Sequence, residues 1–294
     1  MRTELNARIG RTMPSPMFGI LVESGPSARR LPRFADILRR HRAAWLLAAL
    51  AAALWPHWTY VARRMVDGSD EPWGVLALAT VALLVFRDRA ELAEPPRGAL
   101  VVSVALAVLA AVASLTLPDL AAAALAMLAL GVALVHALRR PASALIALLL
   151  LSLPIIASLQ FYLGFPLRVV TAWGAAHLLA LFGLDVSAIG AALQWNGTTV
   201  LVDAPCAGIG MLWVGSYTAA LLSYLNRATA YRTLVNATAA SLLVLVANVI
   251  RNTALFFPEA RIVHWPAASH DLIGLAAFAT AVIPIVILTS WKPR

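Results

Sequence analysis

Residues 200–217, VLVDAPCAGIGMLWVGSY, begin as an alternating extended segment and pass into a long apolar helix, and they hold Cys206, the only cysteine of the chain. Asp203 is placed to cap that helix and Pro205 suits its first turn, so the thiol is expected at a helix entrance. Unpaired backbone N–H groups and the positive dipole end favour a thiolate there. A free cysteine is also often a small packed hydrophobe. Position alone gives the two readings similar weight.

Working outward, the helix that follows is one of a series of apolar blocks. The 294 residues are 61% hydrophobic and 13% charged, with a mean hydropathy of +0.82. Soluble domains carry about 25% charged residues, so the chain reads as a membrane protein. Blocks near the length of about 20 residues needed to cross hydrocarbon fall at 42–61, 72–86, 98–117, 120–138, 142–160, 207–225, 233–257 and 270–291. Pro154 marks an expected kink in the fifth. Residues 167–184 contain Arg168, Trp173 and His177 and read as a helix lying at the membrane surface. Thr199, Leu201 and Asp203 alternate with Val200 and Val202, a short β-like excursion before the cysteine. The expected fold is therefore an all-α polytopic membrane protein of about eight transmembrane helices, with an interfacial helix and that excursion. Residues 1–41 form a basic cytosolic extension, and 42–294 one membrane domain whose catalytic part covers about 165–294.

Charge supports this topology, because basic residues stay on the cytoplasmic side. With the N-terminus inside and eight crossings, all but five of the 23 Lys and Arg residues fall inside, the exceptions being Arg63, Arg64, Arg168, Arg251 and Arg261. Both termini are then cytoplasmic. The net charge of +9 flanks apolar blocks and forms no stripe, which points to lipid and topology and away from nucleic acid. One cysteine excludes an intrachain disulfide. No metal-ligand spacing appears, and no cofactor is expected.

The same topology brings Cys206, Arg251 and His270 to the outer leaflet. An arginine near the centre of a span costs about 2.5–3.5 kcal/mol on insertion scales, so Arg251 needs a partner or a role, snorkelling to headgroups being the bland alternative. Asn248 and Asn252 flank it at helical spacing, expected to put three polar groups on one face. His270 follows Ser269, a good N-cap, and precedes Asp271; its neutral ring can relay a proton near pH 7. His57, His136, His177 and His264 read as interfacial residues without a task. Gly208, Gly210 and Gly215 are expected to allow close helix packing. A non-enzymatic transporter or assembly scaffold, with Arg251 binding an anion, is the competing class. A serine peptidase using Ser216 or Ser223 is a weaker third.

Asp203-Ala204-Pro205-Cys206-Ala207-Gly208-Ile209, then Asn248-Val249-Ile250-Arg251, then His270-Asp271-Leu272-Ile273-Gly274 together resemble the exosortase/archaeosortase family. The resemblance covers the carboxy-terminal half in motifs and the leading spans in hydropathy. It implies a membrane-embedded cysteine protease or transpeptidase at the outer face of the cytoplasmic membrane. Its partners would be secreted proteins with a carboxy-terminal tripartite signal: a Pro-Glu-Pro-like motif (PEP-CTERM), a transmembrane helix and a basic cluster. Cys206 would be the nucleophile, Arg251 the oxyanion stabiliser and His270 the acid and base. Asn248, Asn252 and Asp203 would support them. The interval from Arg251 to His270 is shorter than in the main bacterial exosortases, which leaves the subtype open and makes His264 a competitor for the histidine role.

Overall fold

A computed structural model of the chain describes residues 42–68, 72–264, 266 and 269–290. The expected N-terminal extension, residues 69–71, Trp265 and Trp291, and the side chains of Ser269 and Asp271 lie outside the described residues. The first apolar block is two helices, α1 (Arg42–Ala53) and α2 (Trp55–Val66). Pro56, which has no N–H to continue the ladder, sits in the first turn of α2. The Trp58 indole donates across the break to the Ala51 carbonyl at 2.8 Å. α3 (Trp73–Arg87), α4 (Arg97–Ala113) and α5 (Asp119–Ala137) follow, with α4 and α5 packed as the hairpin that Pro118-Asp119 predicts. α5 buries Ala122, Ala126, Ala129, Ala133 and Ala137. Small side chains let α1, α2, α4 and α6 approach it closely.

The block at 142–160 departs from expectation. It holds only the short α6 (Ala144–Leu151), then a break over residues 152–155 at Pro154, and then α7 (Ile156–Leu181), which absorbs the rest of the block and most of the expected surface helix. Pro154 ends a helix where a kink was expected, whereas Pro166 is accommodated inside α7. α7 keeps to one end of the bundle. Gln160 donates to Ala204 O at 3.0 Å, Thr171 meets Asn248, and Gly174 lies against Val249. Leu179 joins Phe256 and Ala260 in a common core.

The extended excursion is a three-stranded antiparallel sheet in the order β1 (Ser187–Ile189), β2 (Ala192–Trp195), β3 (Thr198–Leu201). Ala192 stands opposite Leu201 and Trp195 opposite Thr198. Asn196 and Gly197 close that hairpin with φ of 48° and 77°, the left-handed pair such a turn demands. Leu193 and Val202 bury one sheet face against α7 and Phe256. α8 (Ile209–Leu225), α9 (Ala230–Glu259) and α10 (Ser269–Ser290) complete the chain, packed through Ala219, Val244, Ala281 and Ile285.

Among the described residues, five helical stretches are long and apolar enough to cross a membrane: Asp119–Ala137, Ile156–Leu181, Ala204–Leu225, Ala230–Glu259 and Leu272–Ser290. Arg42–Ala53, Trp73–Arg87 and Arg97–Ala113 are apolar but shorter. The protein is thus a mostly helical multipass membrane protein with a small sheet. α7 qualifies by length and composition, which the reading of 167–184 as a surface helix did not include.

At the end of α8 opposite Cys206, loop charges that the sequence presents as topology markers form a buried cluster. Arg140 donates to Asp88 Oδ2 at 2.8 Å and to the Tyr224 carbonyl at 2.7 Å, and the Tyr224 hydroxyl donates to the same carboxylate at 2.7 Å. The side chains of Arg140 and Asp88 are 4% and 10% exposed. The hydrogen bond from Arg87, then the Tyr224 hydroxyl and the charge of Arg140, hold the Asp88 carboxyl below its usual range against the opposing effect of burial. Ser223, the serine of the weaker alternative, is nearby, fully buried and bonded to Asn236 at 2.9 Å.

Removing one partner of a buried pair costs about 3–5 kcal/mol, so Asp88→Asn should lower the melting temperature in detergent markedly. A depressed carboxyl stabilises the fold fully above its unfolded value of about 3.9 and loses that contribution as pH falls through the folded value. The unsubstituted protein should therefore weaken in acid, and Asp88→Asn should lack that part of the pH dependence.

Candidate active site

Cys206 lies in a single 3-10 turn, Ala204–Ala207, and not on the first turn of α8. Asp203 precedes this turn in extended conformation but its side chain makes no capping bond; its carbonyl instead accepts the Cys206 N–H at 2.9 Å. α8 starts only after Gly208, whose φ of 80° is left-handed. The cysteine therefore stands ahead of α8 and not in the first turn, where the helix dipole was expected to favour its thiolate.

What holds the turn is α9. Asn248 donates to the Cys206 carbonyl at 3.0 Å and Asn252 to the same oxygen at 3.3 Å. Asn248 also donates to Thr171 of α7 at 3.1 Å, and Asn252 to the Asn248 carbonyl at 2.9 Å. Asn248 is 1% exposed, and among the described residues its Oδ1 is buried without a partner. Gly208 makes this approach possible, since an added Cβ would stand 2.7 Å from Asn248 Cγ. Gly215 does the same beside Val244, and Gly210 faces Trp73.

Arg251 keeps its helical spacing from Asn248 and Asn252 but meets a different neighbour. Its guanidinium lies against Gly274 of α10, where an added Cβ would be 3.6 Å from Nε and 3.9 Å from an Nη nitrogen. Gly274 is one helical turn after His270, so Arg251 packs on the face of α10 that carries the imidazole. Among the described residues its Nε is buried without a hydrogen-bond partner, an arrangement that native proteins rarely keep without a use.

Cys206 and His270 line one cavity of about 270 Å³, with Asp203, Asn252, Glu259 and β3 on its walls. His264 is exposed and does not line it. The charges that reach the thiol are Arg251 on one side and Asp203 and Glu259 on the other. A second, more open cavity of about 610 Å³ lies along the turn, lined by Trp73, Gln160, Ala204, Pro205 and Gly210. Of the histidines read as having no task, His177 packs on Trp173 with ring centroids 4.2 Å apart and planes tilted by 47°, His136 bonds the Val132 carbonyl and His57 is buried in α2. Thr171 and Glu259 were not singled out from the sequence, and Gly274 was named only as the end of the histidine motif. A threonine at 2% exposure in an apolar helix is the nearest thing to a signal for the first.

The arrangement puts a thiol and an imidazole in one recess and a guanidinium on the helix face that carries the imidazole, groups of the kind that acyl transfer to a thiol uses. Residues 44–287 match the family described as transmembrane exosortase (Exosortase_EpsH). No curated protein and no solved structure matches the chain.

Gly208→Ala would force a left-handed backbone on a residue with a Cβ and drive that Cβ into Asn248. The strain alone is about 1–3 kcal/mol, and we expect a lower melting temperature and a changed rate of Cys206 alkylation by a small thiol reagent.

Proposed function

The chain belongs to the transmembrane exosortase family, and from that premise we propose that it is a membrane-embedded cysteine peptidase that acts as a transpeptidase. Its substrates are secreted proteins carrying a PEP-CTERM-like carboxy-terminal signal, cleaved at the outer face of the cytoplasmic membrane. The observation that carries this reading is the shared cavity of Cys206 and His270, with Arg251 of α9 packed against Gly274, one turn from His270 on α10.

In this mechanism His270 takes the thiol proton and the Cys206 sulfur attacks the scissile carbonyl carbon, moving the carbonyl electrons onto oxygen. Arg251 stabilises that oxyanion. Collapse breaks the C–N bond, His270 returns the proton to the leaving amine, and a thioester joins the substrate to Cys206. An incoming amine or water, deprotonated by His270, then attacks the thioester and releases the thiol. Asn248 and Asn252 position the sulfur by fixing the carbonyl of its own residue, and Asp203 supports the same turn through its backbone.

The test is processing in cells whose own copy is replaced by Cys206→Ala or Cys206→Ser, with secreted proteins followed by mass. Uncleaved precursors should accumulate at normal enzyme levels; unchanged processing would exclude the peptidase. Arg251→Lys keeps the charge but loses the planar fork, and its turnover should fall about 100-fold or more, as for loss of an oxyanion donor.

A further inference from the structure

One edge of the sheet borders the cavity that holds Cys206. β3 pairs only with β2 among the described residues. The phase of that ladder is fixed by the Val202 N–H, which donates to Ala191 O at 2.9 Å. Antiparallel alternation then turns the main-chain groups of Val200 and Thr198 toward β2 and those of Thr199 and Leu201 away from it. Closure of the hairpin at Trp195 and Thr198 agrees with this phase. Among the described residues no hydrogen bond reaches the outward N–H and C=O groups of Thr199 and Leu201. Edge strands are commonly blunted by charge or proline. β3, Thr-Thr-Val-Leu, has neither.

Resting on the cysteine-peptidase reading above, we propose that the substrate segment on the amino side of the scissile bond adds to β3 as a fourth strand, hydrogen-bonded to the main chain of Thr199 and Leu201. The edge is continuous with the site: Thr199, Leu201 and Asp203 line the same cavity as Cys206 and His270. The chain runs from β3 through Val202 and Asp203 into the turn that carries the thiol, so a strand laid along this edge is led to the sulfur. Direction follows from α9. Asn248 holds the Cys206 carbonyl, whereas Phe256 packs on the sheet, about 12 Å farther along the helix at 1.5 Å per residue. A substrate whose carboxy side continues as a membrane helix leaves the site the other way. Main-chain pairing of this kind supplies affinity with little demand on sequence, and side-chain pockets add the selectivity.

Thr199→Pro and Leu201→Pro each remove an outward donor without touching the bonds to β2. The probe is the set of secreted proteins whose precursors accumulate with Cys206→Ala. We expect both proline variants to process that set about ten-fold more slowly or worse, while Cys206 is alkylated by iodoacetamide at the unsubstituted rate. Normal processing with normal alkylation overturns the edge proposal and leaves the peptidase intact. Absence of precursors with Cys206→Ala overturns the peptidase itself. Where a proline alters alkylation, a photoreactive benzoylphenylalanine at position 201 of the Cys206→Ala chain decides. Precursor capture there and not from position 187 on the far edge supports the added strand; equal capture, or none, overturns it.

Discussion

Two carboxamides on one carbonyl set the geometry of the site. The oxygen of Cys206 accepts from both Asn248 and Asn252, and this fixes how the turn before α8 sits on α9. A buried carbonyl deprived of its donors costs about 1–3 kcal/mol, and here two donors are aimed at it. Several features follow from that constraint. Gly208 has to lack a Cβ, α7 has to come close enough for Thr171 to share the Asn248 amide, and Arg251, one residue before Asn252, is turned toward α10. The guanidinium reaches the helix that carries His270 because α10 shows α9 a glycine at position 274.

The two ends of α8 are secured by different chemistry. At the sheet end the fastenings are neutral amides and a hydroxyl, which leave Cys206 half-buried beside a cavity. At the other end they are full charges, with Arg140, Asp88 and Tyr224 almost out of solvent. Between them α8 packs through the small Ala219 and Ala220 and through Trp213, whose indole donates to the Leu151 carbonyl at 3.2 Å. Rigid positioning of a reacting group benefits from support by packed elements on several sides, and here α7, α9 and the sheet all meet the turn that carries the sulfur.

Much of this was legible in the residues. Apolar blocks marked the helices, and the Thr–Val–Leu alternation marked an extended segment. The only cysteine, an arginine in an apolar run and a histidine at a helix start mark the three candidate residues, of which Cys206 and His270 line one cavity. Other features depended on contacts between distant segments. Pro154 and Pro166 look alike in sequence, yet only the first breaks its helix. Asn248, Arg251 and Asn252 sit close in helical spacing, but which neighbour each one meets depends on how α8 and α10 pack around α9. Asp88 and Arg140 read as loop charges because nothing local says that a tyrosine in α8 will cover them.

That last cluster bears on the order in which the molecule is put together. Asp88 lies early in the chain, Arg140 some fifty residues later, and Tyr224 later still. During synthesis the carboxylate and its first guanidinium can meet while α8 has yet to emerge, but the hydroxyl and the carbonyl that complete the shell come only with Tyr224. The amino-terminal half thus carries an unfinished polar seat until the helix following the cysteine turn arrives. Docking of that helix is coupled in time to completion of the first half, so a chain that fails to insert α8 correctly exposes its defect at both ends.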